Sequence, residues 1–227
     1  MTQRIVLLGT GTGVGKTYFG VRLAESLALC GRSVLALKPI ESGIEPTGAV
    51  EPIELSDAER LGRATARAGG HCYALPEPIS PHLAAERAGT SIDLGIASRW
   101  VAEQERTLRD TTLHYTLIET AGGVLSPLSR TTTNFDLAHA LGPALWILVA
   151  PDALGVLHDV RATLLAMDAL GRPPDHVVLC GARTPDASTG TNRAELERLG
   201  VTRVSAQLDR DQPASRELAT FLREAER

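Results

Sequence analysis

The stretch Gly9-Thr10-Gly11-Thr12-Gly13-Val14-Gly15-Lys16-Thr17 carries the residue types that hold phosphate. Glycine lets the backbone turn its N–H groups inward, and a following helix N-terminus favours an anion. The N–H groups of Gly13, Val14 and Gly15 are therefore candidate contacts to a nucleoside triphosphate. Lys16 is placed to reach its terminal phosphates, and the Thr17 hydroxyl to hold Mg²⁺. A plain glycine-rich turn would explain the glycines but not Gly-Lys-Thr at a strand-to-helix junction. Counted back from Gly15, the loop reads Gly-x5-Gly-Lys-Thr, one residue longer than the common spacing.

Lysine occurs only twice among the 23 basic residues; all the others are arginine. Lysine is a compact, rotatable point charge and arginine a planar fork, so such a bias marks both lysines. Lys38 opens Lys38-Pro39-Ile40-Glu41-Ser42-Gly43, at the end of the second expected strand. A second strand beside the first would bring Lys38 to the γ-phosphate from the side away from Lys16. Two cations there would stabilise charge spread over a transferring phosphoryl group. Glu119, in Glu119-Thr120-Ala121-Gly122-Gly123, sits at another strand tip and is a candidate Mg²⁺ ligand, with backbone at Gly122 and Gly123 able to approach a ligand closely. Asp57 is a second candidate oxygen ligand, although an acid opening a helix is also favoured by the macrodipole alone.

Positioning these groups requires strands that alternate with helices. Strand-length apolar runs occur at Arg4–Gly9, Ser33–Leu37, His114–Ile118, Leu145–Val149, His176–Cys180 and Val201–Val204. Helical spacing covers Lys16–Leu29, Ser56–Arg67 with Ser56 as N-cap, Ser91–Arg109, Asn134–Leu141, Gly155–Leu170, Asn192–Leu199 and Ala214–Ala225. The pattern predicts one α/β domain over residues 1–227, a mainly parallel sheet with helices on both faces. The irregular stretches Glu41–Leu55, Pro76–Pro81 and Arg183–Thr191 are candidates to line the carboxyl edge of that sheet, where ligands bind.

With 227 residues, 43% hydrophobic and 22% charged, the chain has the composition of an ordinary globular protein. A net charge of −4 without a basic stripe gives no footprint for nucleic acid. Cys30, Cys72 and Cys180 lack the number and spacing of a disulfide framework or a zinc ribbon, and suit a reducing cytoplasm, with Cys30 and Cys180 read as core filler. The apolar run Ala144–Ala150 is far too short to span a bilayer, and Ile5–Leu8 is a strand rather than a signal segment. A soluble, cytoplasmic protein is expected.

Five motifs in order resemble the dethiobiotin synthetase family over roughly residues 1–165. They are the Gly-x5-Gly-Lys-Thr loop, Lys38-Pro39-x-x-Ser42-Gly43, Ser56-Asp57-Ala58, Glu77-Pro78-x-Ser80-Pro81-His82, and Glu119-x-Ala121-Gly122-Gly123. The resemblance implies a three-layer P-loop NTPase fold and an ATP- and Mg²⁺-dependent ligase acting on 7,8-diaminononanoate and CO₂ or bicarbonate. It implies that Lys16, Lys38 and Thr12 act in catalysis and that Thr12 and Ser42 bind the carbamate or a substrate amine. Thr17, Asp57 and Glu119 would hold Mg²⁺, and the run Glu119, Thr120, Ala121, Gly122 would lie along the nucleotide. It further implies a homodimer, with the substrate carboxylate at the N-terminus of a partner helix, here Gly155-Val156-Leu157.

The resemblance weakens after residue 175. Where the family often places an asparagine to read the base, this chain has Gly181, and Ser205-Ala206-Gln207 replaces a proline-containing turn. ATP is the implied nucleotide, with another triphosphate such as CTP as the alternative. Other readings of the phosphate loop are an amidoligase-type P-loop synthetase, which would ordinarily need a glutaminase domain or an ammonia source, or a nucleotide-dependent switch or inactive relative. The partition-type switches carry an additional lysine early in the loop, and Gly9 to Gly15 contains none.

Overall fold

The computed structural model describes residues 2–44, 55–67, 70–107, 114–209, 213–215, 218 and 220. Strand β1 (Thr2–Gly9) alternates its buried side chains between two cores. Ile5 and Leu7 join the core that includes Phe19, Leu23 and Leu27 of α1 (Lys16–Leu29) and Leu61 of α2 (Asp57–Ala64). Val6 and Leu8 face the opposite core. That core takes Val101 of α4 (Leu94–Arg106), Phe135 of α5 (Asn134–Ala140), Val160 of α6 (Val156–Ala169) and Leu196 of α7 (Asn192–Arg198). A strand buried on both faces reads as a continuous apolar run, which is why Ile5–Leu8 shows no polar alternation.

Among the described residues, the main sheet has six strands in the order β2 (Ser33–Leu37), β5 (His114–Glu119), β1, β6 (Leu145–Asp152), β7 (His176–Gly181), β8 (Val204–Leu208), and every pairing is parallel. With helices on both faces this is the expected three-layer α/β architecture. One expectation fails: β2 does not lie beside β1, because β5 is inserted between them. Lys38 therefore reaches the phosphate loop across the tip of β5, where Glu119 stands.

A second, two-stranded parallel sheet joins β3 (Ile40–Ser42) to β4 (Tyr73–Leu75), and α3 (Pro81–Arg87) follows it. None of these short elements is among the expected ones, since three residues carry too little periodicity to read. The helix expected from Ser91 begins at Leu94, because the Asp93 carboxylate accepts the Ile96 N–H at 2.8 Å and fixes the cap. The last strand is Val204–Leu208 rather than Val201–Val204. Gly200, at φ +88°, turns the chain so that the Val201 N–H closes α7 onto the Leu196 carbonyl. Ser205, Ala206 and Gln207 are thus strand residues rather than a turn. Cys180 is buried, but Cys30 is only half-buried. The helix expected over Ala214–Ala225 falls largely, and residues 45–54 of the Glu41–Leu55 stretch wholly, outside the described residues. Among the described residues, no helix is long and apolar enough to cross a membrane.

Candidate active site

The ends of β1, β2 and β5 converge on a cavity of about 850 Å³. Gly15 precedes α1 at φ +100°, a left-handed conformation that favours glycine, and a Cβ there would lie 2.8 Å from Cys180 Cβ. The loop is therefore pressed against the tip of β7. On its other side, a Cβ on Gly123 would lie 3.3 Å from the Thr10 carbonyl oxygen, so glycine permits the two loops to pack. Asn134, fully buried, fixes the second loop by donating Nδ2 to the Ala121 and Gly123 carbonyls at 2.6 and 2.8 Å.

Lys16 Nζ folds back over the loop, donating to the Gly11 carbonyl at 3.0 Å and the Gly122 carbonyl at 2.7 Å. Burial pushes its ammonium down from 10.5 to about 8, against the opposing pull of Glu119. Lys38 Nζ donates to Glu119 Oε1 at 2.7 Å and forms an ion pair with Asp57 Oδ2. Burial opposes its charge, but Glu119, Asp57 and Glu41 overcome that and hold it above the usual lysine range. Burial raises the Asp57 carboxyl, yet Lys38 outweighs it and the net direction is down. Glu119, fully enclosed, is pushed up by burial despite Lys38 and Lys16.

Thr17 Oγ1 donates to Glu119 Oε1 at 3.0 Å, so Thr17, Asp57, Glu119 and Lys38 form one cluster. Glu119 Oε2 is buried and has no hydrogen-bond partner among the described residues. Two carboxylates and a hydroxyl are hard oxygen donors suited to Mg²⁺, which takes one or two carboxylates and completes its shell with water and phosphate. The unpartnered oxygen fits that assignment. Among the described residues, no group of three or more His, Cys, Asp or Glu side chains could hold a metal without such help.

The architecture and site find relatives across nearly the whole chain. A family profile described as an AAA domain covers residues 3–217. The ATP-dependent dethiobiotin synthetase BioD of Rhodopseudomonas palustris is 35% identical over 213 residues, spanning 92% of this chain and 87% of that protein. This chain belongs to the dethiobiotin synthetase family. The BioD of Nitrobacter hamburgensis is 33% identical, over 93% of this chain and 91% of its own. Salmonella typhi BioD 1 is 32% identical, over 88% and 86%. Among solved structures, a ParA family ATPase from Chlorobium tepidum aligns with a TM-score of 0.51 at 14% identity, over 92% of this chain and 84% of its own. The signal recognition particle 54 kDa protein from Aeropyrum pernix gives 0.51 at 15%, over 98% and 46%. At such identities the likeness is one of fold.

Of the residues that the sequence singles out in this dethiobiotin synthetase relative, Thr12, Gly13, Val14, Gly15, Lys16, Thr17, Lys38, Asp57, Glu119, Gly122 and Gly181 line the cavity. Thr120 and Ala121 do not: Thr120 Oγ1 donates to the Leu7 carbonyl at 2.9 Å, which ties its side chain into the sheet. Ser42 lies half-buried in β3, outside the cavity wall. Gly155, Val156 and Leu157 are also outside it. The Val156 side chain is buried, and its N–H closes on the Ala153 carbonyl at 3.1 Å, so this N–H is already engaged. Sequence reading missed Tyr18, Arg22, Arg60 and Arg63, which also line the cavity, whereas Arg183 comes from a stretch expected at this edge. It missed Asn134 and Glu41 as supports, because their partners are brought near only by the fold.

Proposed function

We propose that the protein closes the ureido ring of dethiobiotin from 7,8-diaminononanoate and CO₂ at the expense of ATP. Family membership supports the reaction class. The single observation that carries the site assignment is that Lys16, Lys38, Thr17, Asp57 and Glu119 meet at one end of one cavity.

One substrate amine adds to CO₂ and loses a proton to give a carbamate. A carbamate oxygen attacks the γ-phosphorus, ADP departs, and a carbamic–phosphoric anhydride remains. The second amine attacks the anhydride carbon, the C–O bond to phosphate breaks, and phosphate leaves as the ring closes. Both nucleophiles belong to the substrate, so the protein aligns reactants and neutralises charge. The Gly13–Gly15 backbone cradles the triphosphate, and Lys16 leaves the Gly11 and Gly122 carbonyls for its terminal oxygens. Lys38 neutralises charge on the carbamate and the transferring phosphoryl group. Thr12 and Ser42 hydrogen-bond the carbamate or an amine, and the Gly155–Leu157 turn receives the substrate carboxylate from a second copy of the chain. Leu154 and Leu165, which are 84% and 71% exposed, support a homodimer that uses this helix.

Thr17, Asp57 and Glu119 would hold Mg²⁺, which when bound supplies charge neutralisation for the β- and γ-phosphates. Base recognition rests on backbone at Gly181 and Ala182, with no amide side chain at position 181, so the preference for ATP over CTP is modest. We place the enzyme in the cytoplasm and treat the whole chain as one domain. The test is a single-turnover incubation with diamine, bicarbonate, Mg²⁺ and either ATP or CTP, read by mass spectrometry. Dethiobiotin is expected only with all components present. Its absence with both nucleotides, while triphosphate still binds, would overturn the reading.

A further inference from the structure

Glu41 is a buried carboxylate that the mechanism above does not use; it is only 7% exposed. It lies in β3, three residues after Lys38. Its Oε1 accepts the Asp57 N–H at 2.8 Å. Its Oε2 accepts the Ala58 N–H at 3.1 Å and His71 Nε2 at 2.7 Å. All three contacts run to the first turn of α2 or to the segment just before β4.

The first turn of α2 thereby has two separate anchors. Ser56 and Glu59 form a reciprocal capping box that uses the Glu59 and Ser56 N–H groups and lies at the surface. The two remaining N–H groups, of Asp57 and Ala58, go to Glu41. A carboxylate on these donors is favoured by the helix dipole, and two bonds fix both the depth and the rotation of the helix end. Because Lys38 and Glu41 share one short segment, the clamp also sets the separation between Lys38 and the Asp57 carboxylate that it pairs with.

We propose that Glu41, oriented by His71, is the positioning residue that places the Asp57 carboxylate for the divalent cation. The inference rests on the metal role proposed above for Asp57. If Glu41 were a helix cap only, replacing it would lower thermal stability without changing how the folded protein binds metal.

The test titrates Mn²⁺ by electron paramagnetic resonance into the full chain saturated with adenylyl-imidodiphosphate, with a thermal melt of each variant. Glu41→Gln keeps the size of the side chain but sets an amide donor against partners that are themselves donors. It is expected to raise half-saturating Mn²⁺ on the order of tenfold, in line with other outer-shell changes. Affinity for the nucleotide analogue is expected to stay within about threefold, because the phosphate loop is not touched. His71→Ala should shift Mn²⁺ binding in the same direction by less, and it decides the matter if Glu41→Gln does not fold. A lowered melting temperature with Mn²⁺ affinity unchanged in both variants would overturn the proposal. Asp57→Asn separates the two layers. If it leaves Mn²⁺ binding unaltered, the metal assignment falls and the inference with it. If it weakens binding while the Glu41 and His71 variants do not, only the inference falls.

Discussion

Lys38 is held between Asp57 and Glu119, within hydrogen-bond reach of both. A guanidinium is too broad and too directional for that space. Lys38→Arg is therefore expected to reduce dethiobiotin formation on the order of a hundredfold. Nucleotide affinity should change little, as checked by steady-state kinetics beside equilibrium binding. Near-normal turnover would remove Lys38 from the mechanism. Lys16 offers a pH test. Burial lowers its pKa from 10.5 to about 8, so between those values the unfolded chain binds more protons than the free folded protein. This group therefore makes the free protein more stable as pH rises through that window. Triphosphate binding needs the charged form, so above about pH 8 it should draw in a proton. Affinity would then fall by up to about tenfold per pH unit. Titration calorimetry in two buffers of different ionisation enthalpy reads the proton uptake, and Lys16→Met should abolish it.

At the scale of elements, the ends of helices and strands hold the site in register. The capping box that opens α2 is exposed, and Ser56→Ala should cost about 1 kcal/mol in urea unfolding while leaving the Glu41 contacts in place. The start of α1 is far less tolerant. Gly15→Ala places a methyl group 2.8 Å from Cys180 Cβ at φ +100°, so both space and conformation oppose it. Loss of triphosphate binding is expected. Cys180→Gly in the same chain should recover only part of it, because that change relieves the contact and leaves the φ strain. Full recovery in the double variant would show that packing alone limits the loop.

Across the whole molecule, Asp152, at the end of β6, ties that strand and β8 to Gly190 and Asn192. It is almost fully buried and accepts hydrogen bonds from the Gly190 N–H at 2.8 Å, Asn192 Nδ2 at 2.7 Å and Gln207 Nε2 at 3.0 Å. Asp186 then accepts the Leu154 N–H at 2.9 Å, beside the turn that opens α6. Removing the hub takes this acceptor from the buried Asn192 amide, from the half-buried Gln207 amide and from the Gly190 N–H. Asp152→Ala should destabilise the fold by about 2 kcal/mol or more in urea unfolding, with Asp152→Asn in between. A loss below about 0.5 kcal/mol would mean that water takes over the three donors.

The sequence by itself determined the sheet class, because residues that alternate between two buried faces must form continuous apolar runs. It also determined the phosphate loop and the strand-tip carboxylate, because glycine, lysine and threonine at a strand-to-helix junction act through local backbone geometry. Rarity singled out both lysines, since a point charge is kept where a fork does not serve. Only the tertiary structure decided that β5 separates β2 from β1, so that Lys38 meets Glu119 before it meets phosphate. It alone decided that Ser42 and the Gly155 turn lie away from the cavity formed by one chain. The fold likewise brought His71 onto Glu41, and Glu41 onto the first turn of α2. Hydrogen bonds between residues that are distant in sequence leave no periodic trace, and they exist only once the sheet order has set which loops are neighbours.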